Sequence, residues 1–237
     1  MVTIDTAMVL AAGLGTRIRA LSGEKPKPLV EVAGKPLIDW SLDLLGAGGV
    51  TRAVVNIHYK ADQIETHLAS RTSPQITLSD ERGLLLETGG GLMKATSALG
   101  RGPIFCTNTD AIFEDGSGDL IRQMQSHWRD DDMDALLLLV PAAKTSGYDG
   151  AGDFLMDTDG RLSQEGEGTR YVFTGLQIIH PRLWAGEAVV KQSTRVFWER
   201  ARASGRFFGL LYGGRWMHVG DPAGHAAATS ILTQKVV

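Results

Sequence analysis

Apolar and polar positions fall in alternating blocks through the first 140 residues. Short apolar runs at residues 7–12, 53–57, 75–78, 104–107 and 135–140 predict strands. Between them lie amphipathic stretches with helical spacing. Residues 36–45 place Pro36 in a first turn and Leu37, Ile38, Ser41, Leu42 and Leu45 on one face. Residues 61–68 carry Ile64 and Leu68, residues 91–99 form a further helix candidate, and residues 119–129 carry Leu120, Ile121, Met124 and Trp128. Strands that alternate with helices imply right-handed crossovers and an α/β fold, with a mostly parallel sheet between two helical layers.

Beyond residue 140 the pattern shifts. Asp157-Thr158-Asp159-Gly160 is a turn signal between two short strands. Residues 171–179 predict a longer strand, and strands at 206–212 and 216–219 flank Gly213-Gly214. This half is expected to be partly antiparallel and to wall one side of a cleft.

Composition narrows the classes. A chain of 237 residues with 43% apolar and 22% charged residues suits one domain with a sizeable core. The net charge of -3, without a block of lysine and arginine, argues against a nucleic-acid partner. Cys106 is the single cysteine, which excludes an intrachain disulfide and a cysteine-built metal cluster and fits a reducing cytoplasm. Residues 7–12 follow Asp5 rather than a basic segment, so they read as a strand and not a signal peptide. No apolar run is long enough to span a bilayer, and a cytoplasmic protein without a membrane partner is expected.

The first strand runs straight into Ala11-Ala12-Gly13-Leu14-Gly15-Thr16-Arg17. Two glycines at this spacing turn the backbone tightly and expose consecutive N–H groups that suit phosphate oxygens. The dinucleotide fingerprint would need a glycine where Ile18 stands, and a P-loop would need a Gly-Lys-Ser/Thr ending. Ten residues on, Lys25-Pro26-Lys27-Pro28-Leu29 sets a lysine between prolines that are expected to hold the segment extended. The forked cation Arg17 and the point cation Lys27 beside a glycine loop suit a triphosphate. Asp110 follows the strand at 104–107, where the carboxyl end of a parallel strand opens into the ligand crevice and a carboxylate can meet Mg²⁺.

In this order the motifs resemble those of the sugar-1-phosphate nucleotidyltransferases. They run through Leu10-Ala11-Ala12-Gly13-x-Gly15-Thr16-Arg17, Lys27-Pro28-Leu29, Gly34-Lys35-Pro36-Leu37, Glu87-Thr88-Gly89-Gly90-Gly91, Asn108-x-Asp110, Thr174-Gly175 and Trp216-x-x-Val219-Gly220. The short chain and the Leu-Glu-Thr-Gly-Gly-Gly run most resemble members that use UTP and N-acetylmuramate 1-phosphate in cell-wall recycling, with mannose-1-phosphate guanylyltransferases as near relatives. The resemblance implies a Rossmann-like three-layer sandwich, with a nucleotide half at about residues 1–140 and a sugar half at about 141–237. It implies Arg17, Lys27 and Asp110 as catalytic groups. Leu10, Ala11, Ala12, Gly13, Gly15, Thr16, Glu81, Gly89, Gly90 and Asn108 would join Arg17 and Lys27 around the nucleotide, Glu81 at the base edge. Gly152, Glu165 and Thr174 would hold the sugar.

The resemblance also implies Mg²⁺ on Asp110 and on a second aspartate, where this chain has His218. Four readings stand at that position. His218 ligates a softer ion such as Mn²⁺, His218 acts through a water, Asp221 supplies the carboxylate instead, or the chain is a nucleotide-sugar-binding regulator without catalysis. The expected partners are a nucleoside triphosphate and a sugar 1-phosphate, in a monomer or small homo-oligomer.

Overall fold

The computed structural model describes residues 2–142, 145, 148 and 150–234. In chain order it runs through β1 (Thr6–Leu10), α1 (Arg19–Ser22), β2 (Glu31–Val32), β3 (Lys35–Pro36), α2 (Leu37–Ala47), β4 (Arg52–Ile57), α3 (Ala61–Leu68), β5 (Gln75–Asp80), α4 (Glu87–Leu99) and β6 (Ile104–Asn108). There follow β7 (Ala111–Phe113), α5 (Asp119–His127), β8 (Ala135–Pro141), β9 (Phe154–Met156), β10 (Leu162–Ser163), β11 (Arg170–Ile179), α6 (Arg195–Ala203), β12 (Phe207–Leu211), β13 (Trp216–His218) and α7 (Pro222–Thr233).

Among the described residues, nine strands join in one sheet. β6, β1, β4 and β5 lie side by side and parallel. β11 pairs antiparallel with β6 on one side and with β8 on the other, and β12 lies parallel to β8. One reversed strand therefore sits inside an otherwise parallel core. The β9–β10 hairpin extends the sheet beside the start of β11, closed by the turn at 157–160.

The apolar runs lack a polar parity because both faces of these strands are covered. Ala7, Val9, Ala53, Val55, Phe105, Leu136 and Leu138 pack on one face with residues of α2, α3 and α5, including Leu42, Ile64 and Met124. Their neighbours Met8, Val54, Cys106, Leu137 and Leu139 pack on the other with Leu92 and Leu99 of α4 and Phe197 of α6. This is the three-layer α/β sandwich expected of the chain. A third, smaller core of Ile18, Val30, Val32, Leu37, Ile112, Met217, Val219 and Ala228 gathers the loop after β1, the β2–β3 turn, β7, β13 and α7. It lies under the segments that carry Arg17, Lys27, Asp110 and His218.

Several elements depart from the sequence expectation. Lys27-Pro28-Leu29 is one 3₁₀ turn rather than an extended segment. A proline in a first turn has no N–H to leave unsatisfied there, while Leu29 and Val30 donate back to Pro26 and Lys27. Gly213-Gly214 closes no hairpin, because β12 joins the main sheet and β13 pairs antiparallel with β7. α4 begins at Glu87, so the three glycines lie inside its first turns.

No helix among the described residues is long and apolar enough to cross a membrane. Cys106 is buried in the second core, and burial pushes its thiol up to about 12. The folded protein should therefore leave Ellman's reagent untouched at pH 8 and release one thiol equivalent per chain in denaturant. Reaction of the native chain would show that the α4–β6 layer opens readily.

Candidate active site

The carboxyl ends of β1, β4 and β6 open on a cleft of about 470 Å³, a size that suits a small-molecule ligand. Leu10, Ala11, Ala12, Gly13, Gly15, Thr16, Arg17, Lys27, Asn56, Asn108 and Asp110 line it, facing Leu85, Glu87, Thr88 and Ser193. At its floor Lys27 Nζ stands 2.7 Å from Asp110 Oδ2, both side chains less than a fifth exposed. Burial alone would raise the Asp110 carboxyl; the hydrogen bond from His218 and the charge of Lys27 outweigh it and hold the group well below the usual carboxylate range. Asp110 is thus ionised at neutral pH.

These groups meet because of backbone register and close packing. His218 of β13 faces Ala111 of β7, and Val219 N donates to the Asp110 carbonyl at 2.8 Å. This sets His218 Nε2 3.6 Å from Asp110 Oδ2. The His218 ring stacks on Trp216, whose Nε1 donates to Thr174 O at 3.0 Å. On the other side Gly15 adopts φ +60, and a Cβ there would come within 2.8 Å of Lys27 Cβ. The loop glycine is what lets the Lys27 segment close over it. Arg17 is exposed at the rim and makes no ion pair among the described residues.

A buried polar relay holds the loop from behind. Asn56 Oδ1 accepts from Ala11 N at 2.8 Å, and Asn56 Nδ2 donates to Glu81 Oε1 at 2.8 Å. Glu81 Oε2 accepts from Leu86 N at 3.1 Å, and its carbonyl lies 2.7 Å from His58 Nδ1. Glu81 is wholly buried, so the structure gives it a supporting task in place of the base edge expected from the sequence. Asn56, the member of the relay that lines the cleft, is a polar residue in an apolar strand.

Other expected residues also lie elsewhere. Gly89 and Gly90 do not line the cleft; their N–H groups donate to Gln192 O at 2.9 and 3.0 Å. A Cβ on Gly89 would meet the Ser193 carbonyl at 2.8 Å, so these glycines admit a strap of the second half rather than a ligand. Thr174 is buried and spends its hydroxyl on Leu138 O at 2.9 Å, bridging a register shift in β11. Gly152 packs against Arg170, and Glu165 is exposed in the β10–β11 loop; neither lines the cleft. Asp221 Oδ1 accepts from Gly224 N at 2.9 Å and caps α7, in place of the ligand role considered for it. Among the described residues no three His, Cys, Asp or Glu side chains form a group that could hold a metal ion by themselves. A cation in this cleft would need further oxygens from outside the chain, such as water or a bound phosphate.

An anionic oxygen, two cations and a glycine loop thus meet at the ends of parallel strands. A family model described as nucleotidyl transferase matches residues 6–152. The N-acetylmuramate alpha-1-phosphate uridylyltransferase of Caulobacter vibrioides is 43% identical over 96% of this chain and 97% of its own. The chain belongs to the nucleotidyl transferase family. The transferase is also 33% identical to the Neisseria meningitidis enzyme of the same name, over 90% of this chain and 92% of that one. Its fold matches the crystal structure of HddC from Yersinia pseudotuberculosis complexed with GMP-PN, with a TM-score of 0.75 over 97% of this chain and 100% of that one at 23% identity.

The buried relay of the transferase has a measurable consequence. Glu81→Ala should cost about 2 kcal/mol or more in urea unfolding, because Asn56 Nδ2 and Leu86 N lose their acceptor inside the protein. Glu81→Gln keeps an acceptor and should lose less. Equal stability in all three proteins would remove the relay as a support of the loop.

Proposed function

We propose that the protein transfers UMP from UTP to N-acetylmuramate α-1-phosphate and releases pyrophosphate. The observation that carries this reading is Lys27 and Asp110 meeting at the floor of the glycine-loop cleft, in a chain similar over nearly its whole length to two uridylyltransferases of that name. The single, buried Cys106 suits a reducing compartment, and we place the reaction in the cytoplasm.

A sugar 1-phosphate oxygen is already anionic at neutral pH, so it attacks the α-phosphorus without a general base. The new oxygen–phosphorus bond forms as the bond to the β-phosphate bridging oxygen breaks, and pyrophosphate leaves with that electron pair. The difficulty is bringing two anions together, and the chain's groups address it by charge and position. Lys27 neutralises charge at the reacting phosphates. The loop N–H groups and Arg17 hold the β- and γ-phosphates and steady the departing pyrophosphate.

One ionised carboxylate beside a phosphate loop fits Mg²⁺, which is commonly held by one or two carboxylates plus substrate phosphates and waters. Asp110 would hold that ion, with His218 as the softer neighbour that would favour Mn²⁺. When bound, the metal supplies Lewis-acid neutralisation of the phosphate oxygens.

Pyrophosphate release, measured over UTP, GTP, CTP and dTTP with N-acetylmuramate 1-phosphate and mannose 1-phosphate, tests the reading. The UTP and N-acetylmuramate pair should turn over fastest. Preference for GTP with mannose 1-phosphate would replace it, and binding without turnover across the panel would mark a regulator. Lys27→Ala and Asp110→Ala should each lower kcat by about 10²-fold or more with the melting temperature kept within a few degrees. Near-wild-type turnover in either variant would remove that residue from the chemistry.

A further inference from the structure

Three non-glycine residues adopt positive φ among the described residues: Ala33 at 52°, Lys60 at 49° and Glu87 at 64°. L side chains rarely take this conformation, so each instance calls for a cause. Ala33 lies in the two-residue turn between β2 and β3, and Lys60 Nζ donates to Glu24 O at 2.7 Å. Glu87 differs from both. Its exposed side chain makes no hydrogen bond or ion pair among the described residues, and it lines the cleft beside Leu85, Thr88 and Ser193.

The chain on either side of Glu87 is clamped. Gln192 N donates to Leu86 O at 3.1 Å, Thr194 N donates to Thr88 Oγ1 at 2.8 Å, and Gln192 O takes the N–H groups of Gly89 and Gly90. The strap at 190–194 thus fixes the backbone of Glu87, while nothing in the fold uses its side chain. An ionised carboxylate accepts hydrogen bonds and repels phosphate. Arg17, Lys27 and the glycine loop mark one end of the cleft for the triphosphate, which leaves the Leu85–Thr88 wall for the neutral part of the nucleotide.

We propose that Glu87 is a specificity residue whose carboxylate accepts a hydrogen bond from the nucleoside of the triphosphate. This rests on the nucleotidyl-transfer reading of the same cleft. The donors of that nucleoside are the ring N–H of the base and the ribose hydroxyls. Uracil carries N3–H where cytosine presents a lone pair, and guanine carries N1–H where adenine presents one, so a carboxylate rejects cytosine and adenine by repulsion.

Isothermal titration of UTP, CTP and dUTP without sugar phosphate separates the possibilities, using the wild-type chain and Glu87→Gly, Glu87→Gln and Glu87→Asp. Glu87→Gly should melt at the same temperature or higher, since glycine adopts this φ freely. It should bind UTP about 10-fold more weakly, with a reduced preference over CTP. Glu87→Gln, which can donate to cytosine N3, should move the preference toward CTP. Loss confined to the UTP over dUTP ratio would assign the same bond to the ribose.

Unchanged ratios in every variant would overturn the proposal, as would a lower melting temperature with parallel losses for all three triphosphates. A rise confined to the KM of the sugar phosphate would also overturn it. Wild-type preference for GTP would count against the uridylyl reading alone, and the same titrations with GTP, ATP and dGTP would then decide the role of Glu87.

Discussion

The contact between Lys27 and Asp110 joins two parts of the chain that share no strand or helix. One residue lies in a 3₁₀ turn and the other in the corner between β6 and β7. Holding opposite charges 2.7 Å apart in a partly buried position requires that both backbones be fixed from behind. The third core does this, seating Ile18 and Val30 under the phosphate loop and Ile112, Met217 and Val219 under the carboxylate. Gly15 lets Lys27 approach, and the β7–β13 register delivers His218 to the same oxygen. Asp110 also takes the hydrogen bond from His218, and both members of the pair keep some exposure, so the contact orders the free site without carrying the fold.

The main sheet explains why the site opens where it does. β1, β4 and β6 end together, and Leu10, Asn56 and Asn108, in register at those ends, all reach the cleft. The reversed strand β11 carries the chain back along β6 and brings the second half against the same edge. Its register shift uses the Thr174 hydroxyl to satisfy Leu138 O and offers Thr174 O to Trp216. A buried threonine in the sugar half thereby supports the ring on which His218 stacks, although its hydroxyl points into the sheet.

The central strands were legible because apolar parity fails only where a sheet is covered on both faces. Lys27 and Asp110 were legible because local grammar places them, a proline pair around one and a strand end before the other. Glu81, Gly89, Gly90 and Thr174 were expected in the site from the resemblance, and the fold uses them elsewhere. Their partners are Asn56, the 190–193 strap and Leu138, and nothing in the neighbouring sequence points to contacts so far along the chain. Asp221 shows the opposite error. Asp221-Pro222 is a plain helix start, an N-cap followed by a first-turn proline, and that local signal outranks a ligand role considered from its place three residues after His218. α6 escaped notice because Phe197 and Ala201 are its only buried residues, too few to show a stripe.

Glycine therefore plays two separate parts in the cleft, and composition alone does not distinguish them. Gly15 lets Lys27 come close, and a Cβ on Gly13 would meet nothing within 4 Å, which leaves open space in the cleft. Gly89 and Gly90 instead let one segment of protein lie on another, filling the start of α4 that a phosphate would otherwise occupy. Gln192 O thereby takes the N–H groups of Gly89 and Gly90, and the backbone of the first loop is the one left open at the cleft. The strap that takes them brings Ser193 to the wall facing that loop and clamps Glu87 beside it. Two glycine-rich segments thus act differently: the first leaves its backbone open at the cleft, and the second gives backbone N–H groups to the chain, which clamps the wall that carries Glu87.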